Sequence, residues 1–280
     1  MKKIILSLGG LAVIALIIGY SQRQNLKNWY YQANQPKLPA SQNFDNFVNV
    51  PALPSSTFNP QTSASYSPSL ILPKAATSAI QLKLTNQKTS LPDQINLNIP
   101  FASQAPFANW DLPYQETCEE AASLMVHYYF AKKSFTGPGQ INDELLKMID
   151  WETKFFGDYK DTTAAQTAEL LKKYFNYSTV QLITNPTIDQ IKNYLKKGLP
   201  VLAPTYGKDL PNPNFRAGGP LYHMLVIKGY TPTTFITNDP GTRKGADFQY
   251  LYQDLLNALH DWNNGDVVNG QKVVIIIQPN

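Results

Sequence analysis

The sequence predicts an α+β domain in which helices pack on one side of an antiparallel sheet. Segments with helical period come first, at about 117–132, 141–153 and 162–174, and most strand-like runs follow, at about 178–184, 199–204, 222–230 and 234–238. That order differs from the regular alternation of strand and helix that marks a parallel sheet. A chain of 280 residues with 43% hydrophobic and 12% aromatic content is also long and apolar enough to bury a real core.

The chain opens with MKKIILSLGGLAVIALIIGYSQRQ, in which Lys2 and Lys3 precede an uncharged run over 4–20. Residues 1–21 are read as a membrane anchor or signal segment. The run is longer than a signal-peptide core and slightly short of the roughly 20 residues of a full span, and Gly19-Tyr20-Ser21 is a weak cleavage match, so an uncleaved anchor is the favoured reading. The two lysines hold the N-terminus inside, which places the rest of the chain on the extracytoplasmic side of the cell membrane, or free as a secreted protein if the segment is cleaved. No cysteine follows the apolar run, which excludes a lipid-anchored lipoprotein of the usual bacterial kind.

Residues 22–93 are rich in Gln, Asn, Ser, Thr and Pro without a sustained period and read as a spacer, mostly extended or disordered. Within them, 79–84 alternates like a strand and is a candidate to pair with the domain edge. The folded domain is expected over 94–280. It begins at the alternating INLNIPF of 95–101, adds helices near 187–197 and 247–262, and closes on the apolar strand KVVIIIQ of 272–278.

Composition and motifs exclude several classes. The formal charge of +4 is spread through the chain with no lysine or arginine run beyond pairs, so nucleic acid is not an expected partner. No GxGxxG, P-loop, GxSxG or HExxH occurs, which leaves dinucleotide, nucleoside triphosphate, serine-hydrolase and zincin readings without a motif. One Cys and three scattered His show no metal-ligand spacing, and neither metal nor cofactor is implied.

The sole cysteine, Cys118, lies in LPYQETCEEAAS. A single thiol in an exported chain cannot form an intramolecular disulfide, so it is either inert and buried or reactive. Thr117-Cys118-Glu119-Glu120 matches the capping-box pattern and would make Cys118 the first residue of a helix, where free amides and the helix dipole lower a thiol pKa. Glu119 and Glu120 oppose that effect, so strong activation needs a cationic partner.

Of the three histidines, His127 lies nine residues after Cys118 on the same helix, a rotation of about 900° that turns it to the opposite face. His260, near the end of a late helix, reads as structural. His223 opens the apolar run over 224–227, and a hairpin through Thr231-Pro232-Thr233 would set it opposite 238–241, where Asp239 supplies a carboxylate. A thiol at a helix start with a His and an Asp at a sheet end are the parts of a Cys-His-Asp nucleophile system.

Residues 99–125 (IPFASQAPFANWDLPYQETCEEAASLM), 191–205 (IKNYLKKGLPVLAPT), and YHMLVIKGY followed by FITNDPG over 222–241 resemble, in family order, the C39-like family of papain-like cysteine peptidases. The resemblance implies a papain-like fold, with an N-terminal helix carrying Cys packed on a C-terminal antiparallel sheet carrying His and Asp. It implies Cys118 as nucleophile, His223 as general base and acid, Asp239 as the group orienting His223, and a glutamine upstream of the thiol as oxyanion donor. Gln104 is the matching residue, and Gln115 competes for that role. Cys-Glu stands where Cys-Gly is common in the family. The implied activity is hydrolysis of peptide bonds in a peptide or protein substrate. A peptidoglycan stem-peptide hydrolase and a non-catalytic peptide-binding module with the same fold are the alternatives.

Overall fold

The sheet that organises the molecule has seven strands, all paired antiparallel. The structure is a computed structural model describing residues 33, 35–47 and 92–279. In chain order the elements are β1 (Ile95–Asn96), α1 (Cys118–Phe130), α2 (Pro138–Phe156), α3 (Ala164–Lys173), β2 (Thr179–Thr184), α4 (Ile188–Lys196), β3 (Val201–Thr205), β4 (His223–Tyr230), β5 (Thr234–Asn238), β6 (Phe248–Leu251), α5 (Tyr252–Ala258) and β7 (Val273–Gln278). The strands run in the order β2-β7-β3-β4-β5-β6, and β1 pairs with the far end of β4. The predicted α+β class holds, with a helix packed on an antiparallel sheet.

Helix α1 packs against β4, and almost every side chain from Cys118 to Val126 is buried. A helix enclosed on all sides has no polar face to offer, which is why Glu119 and Glu120 lose solvent. Helix α2 starts a turn earlier than the spacing predicts, because Pro138 sits in its first turn, where the missing amide costs nothing, and Gly157 ends it at φ 91°. Capping boxes start α3 and α4: Thr163 with Gln166, and Thr187 with Gln190.

The predicted helix over 247–262 divides in two. Phe248–Leu251 extends the sheet by pairing with β5, and only Tyr252–Ala258 is helical. The pairing satisfies backbone groups that a free segment would give to a helix, so the tertiary partner decides the state.

Part of the expected spacer is bound to the domain. Gln42 exchanges backbone bonds with the chain beside β1, its amide donating to the Asn96 carbonyl at 2.8 Å and its carbonyl accepting from the Asn98 amide at 2.7 Å. Gln249 of the edge strand β6 donates to the Pro36 carbonyl at 2.8 Å, and Phe44 meets Tyr129 and Phe130 edge-on with centroids 5.8 and 5.3 Å away. The strip 35–47 thereby occupies bonding groups of an exposed sheet edge. The expected anchor 1–21 and the alternating run 79–84 lie outside the described residues. Among the described residues no helix is long and apolar enough to cross a membrane.

Candidate active site

Strand β4 begins at His223, and its pairing with β5 sets Val226 opposite Asn238 and Ile227 opposite Thr237. Continued outward, that register places Gly241 across from His223 and turns the Asp239 side chain to the ring. His223 Nε2 lies 2.8 Å from Asp239 Oδ1, with both side chains almost fully buried. A carboxylate only accepts, so the ring donates from Nε2.

Asp239 is held from several sides. Its Oδ1 also accepts from the Gly241 amide at 3.0 Å, and its Oδ2 accepts from Asn212 Nδ2 at 3.0 Å and from the Tyr250 hydroxyl at 2.6 Å. Burial alone would raise this carboxyl. The charge and hydrogen bond of His223, with the bonds from Tyr250 and Gly241, outweigh it and hold the pKa below the ordinary value. Sequence reasoning missed Asn212 and Tyr250. No local pattern marks either, and Tyr250 stands on the strand expected to be helix.

Cys118 is the first residue of α1, as predicted, but the capping box is absent. The Thr117 hydroxyl instead donates to the carbonyls of Gln104 at 3.0 Å and Tyr114 at 3.2 Å, and Glu120 lies buried. Thr117 therefore ties the helix start to the preceding loop. The thiol donates to Glu119 Oε2 at 2.9 Å, while the backbone of Met224, next to His223, bonds the sulfur.

This arrangement reverses the expected direction of thiol activation. Burial pushes the Cys118 pKa well above its ordinary value, the Glu119 charge and hydrogen bond add to the rise, and the Met224 backbone bond opposes it. The helix terminus is outweighed because a buried thiolate loses its hydration and faces a neighbouring carboxyl. Glu119 is itself raised, first by burial and then by Glu120.

Gln104 is buried and tied to both halves of the site. Its amide donates to the Pro240 carbonyl at 3.1 Å, and its own carbonyl accepts from Thr117. Its side-chain Nε2 donates to the carbonyls of Tyr114 and Gln115, at 3.0 and 3.2 Å, and Oε1 has no described partner. Gln115 is exposed. Both glutamines line a cleft of about 630 Å³, together with Phe215 and Gly241. Phe215 meets the His223 ring edge-on at 5.5 Å, so the imidazole lies beneath the cleft wall.

The other histidines are engaged elsewhere. His127 bonds the Tyr177 hydroxyl at 3.2 Å and stacks on Phe175, with a pKa lowered by burial; His260 Nδ1 bonds the Gly270 carbonyl at 3.1 Å. Among the described residues no group of three or more His, Cys, Asp or Glu is arranged to hold a metal ion.

A cysteine-bearing helix on an antiparallel sheet that carries a His-Asp pair defines a papain-like class of α+β domain. The sequence model of the Peptidase_C39 like family matches residues 96–265, and the chain belongs to that family, a family of peptidases of the cysteine type. Among solved structures, a chain described as a C39-like peptidase from Bacillus anthracis is similar, at 17% identity and a TM-score of 0.44, over 68% of this chain and 99% of that one. No curated protein matches.

Proposed function

We propose that the chain is an exported cysteine peptidase, tethered to the cytoplasmic membrane by residues 1–21, that cleaves peptide bonds through a thioester on Cys118. The observation that carries the reading is the buried His223-Asp239 pair, with His223 opening the strand against which the helix that begins at Cys118 packs. Because the resting thiol is protonated, His223 acts as general base during attack. Nδ1 takes the proton from Sγ as sulfur bonds the carbonyl carbon, and Asp239 stabilises the imidazolium that forms. The imidazolium then protonates the leaving amine, the C–N bond breaks, and water hydrolyses the thioester with His223 again as base.

The oxyanion falls to the Cys118 amide at the helix start and to the Gln104 side chain. Gln104 is preferred to Gln115 because it is buried and bonded to the segments before Cys118 and after Asp239. Its Nε2 turns from the loop carbonyls to the oxyanion when substrate enters.

The test is turnover of a protein substrate by full-length variants. Cys118→Ala should abolish cleavage, Asp239→Asn should lower kcat about 10⁴-fold, and Gln104→Ala should lower it about 10²- to 10³-fold. Normal turnover by Gln104→Ala beside a defective Gln115→Ala would reverse the oxyanion assignment.

The hydrogen bond from Cys118 to Glu119, rather than to His223, favours a second reading, a non-catalytic module that binds peptides. Iodoacetamide labelling against pH separates the two. A peptidase loses reactivity in His223→Ala, whereas a module whose thiol is idle keeps the same profile. Membrane tethering is checked by fractionation, where deletion of 1–21 should move the protein from the pellet to the soluble fraction.

A further inference from the structure

The cleft beside the His223-Asp239 pair is cationic. Arg216, Arg243 and Lys244 line it and are exposed. Among the described residues no aspartate or glutamate lines the cleft, and none of the three cations belongs to an ion pair.

Two loops bring these charges together, and both hang from Asp239. The loop before β4, with Arg216 in a short turn, is anchored where Asn212 Nδ2 donates to Asp239 Oδ2 at 3.0 Å. The loop after Asp239, carrying Arg243 and Lys244, is closed by the Asp239 amide donating to the Gly245 carbonyl at 2.9 Å. The residue that orients the imidazole therefore also fixes both cationic walls. Half-buried Trp110 and Phe215 supply apolar surface in the same cleft.

Three positive charges with no ion-pair partner among the described residues repel a basic ligand and attract an anionic one, and guanidinium groups bind carboxylates in paired geometry. We propose that the cleft selects acidic peptide substrates, with aspartate or glutamate side chains seated on Arg216, Arg243 and Lys244 close to the scissile bond. The inference rests on reading this cleft as the substrate site of the peptidase.

The probes are two pools of fluorescein-labelled decapeptides of matched sequence, one with glutamates and one with glutamines at the same positions. Binding is followed by fluorescence anisotropy on full-length Cys118→Ala protein in detergent. At low salt the glutamate pool should bind about tenfold tighter or better, the gain expected of one well-formed charged contact, and the gap should narrow as salt rises. Arg216→Gln, Arg243→Gln and Lys244→Gln together should erase the difference. A control removing equal charge elsewhere, Lys173→Gln, Lys196→Gln and Lys197→Gln, should preserve it.

Equal binding of the two pools overturns the proposal, as does a preference that survives the cleft variant or disappears equally in the control. Digestion of both pools by the unsubstituted protein keeps the two readings apart. Acidic binding with no cleavage sinks the peptidase reading alone, and equal cleavage of both pools sinks the acidic preference alone.

Discussion

Gly241 lies across from His223, two residues beyond Asp239, and a Cβ added there would stand 2.8 Å from His223 Cε1 and 3.1 Å from Nε2. The ring would have to leave Asp239 to make room. Gly241→Ala should therefore cut kcat sharply while costing about 1–3 kcal/mol of stability, an overpacking effect measurable by denaturant titration. A variant with wild-type kcat would show that the ring position is not critical. Glu119 offers a second test, since its carboxyl accepts from the thiol and adds to the rise in the Cys118 pKa. Glu119→Gln keeps the shape and removes the charge, so the alkylation profile of this sole cysteine should move to lower pH. An unmoved profile would leave burial as the whole cause. The placement of Cys118 at a helix start and of His223 beside Asp239 was legible from residue type and spacing. Their supports, Asn212 and Tyr250, were not, because they reach Asp239 only through bonds formed on folding.

At the level of elements, α1 and α2 enclose a buried carboxyl pair, Glu120 and Glu152. Burial, then the charge of Glu152 and a side-chain hydrogen bond with it, pushes Glu120 well up; burial, opposed by that hydrogen bond and helped by the Glu119 charge, pushes Glu152 to about 8 from 4.5. A carboxyl whose folded pKa is raised binds its proton more tightly when folded. Its contribution to stability is complete below about pH 4.5 and is lost as pH rises through about 8. Thermal melts should therefore fall between pH 5 and 9 more steeply for the natural protein than for Glu152→Gln. Parallel curves would mean that the pair does not titrate as a buried unit. The sequence pattern suggested a capping role for Glu120, since Thr-x-x-Glu is a local signal. Burial of the whole helix start gave Thr117 and Glu120 other partners, whereas Thr163-Gln166 and Thr187-Gln190, whose caps are not fully buried, kept the local geometry.

Across the whole molecule, the strip 35–47 and the domain share one compact unit. Phe44 against Tyr129 and Phe130 is the strip's main aromatic anchor on α1, and Lys132 pairs with Asp45 beside it. Phe44→Ala should cost about 1–3 kcal/mol in urea unfolding, the scale of a half-buried aromatic. A loss near zero would show that the strip adds nothing to stability. The polar, proline-rich composition of 22–93 gave no sign of this docking, because a strip held by backbone bonds and two phenylalanines needs no period of its own. By itself, the sequence determined the α+β class, the helix that begins at Cys118, the strand that begins at His223 and the hairpin that returns Asp239. Helical period, strand alternation and turn chemistry are local, and each acts within a few residues. Only the tertiary structure decided that 248–251 is a strand, that Glu119 accepts a hydrogen bond from the thiol, and that Asp239 fixes two cationic loops. Those outcomes depend on burial and on bonds between segments far apart in the chain, which no local pattern encodes.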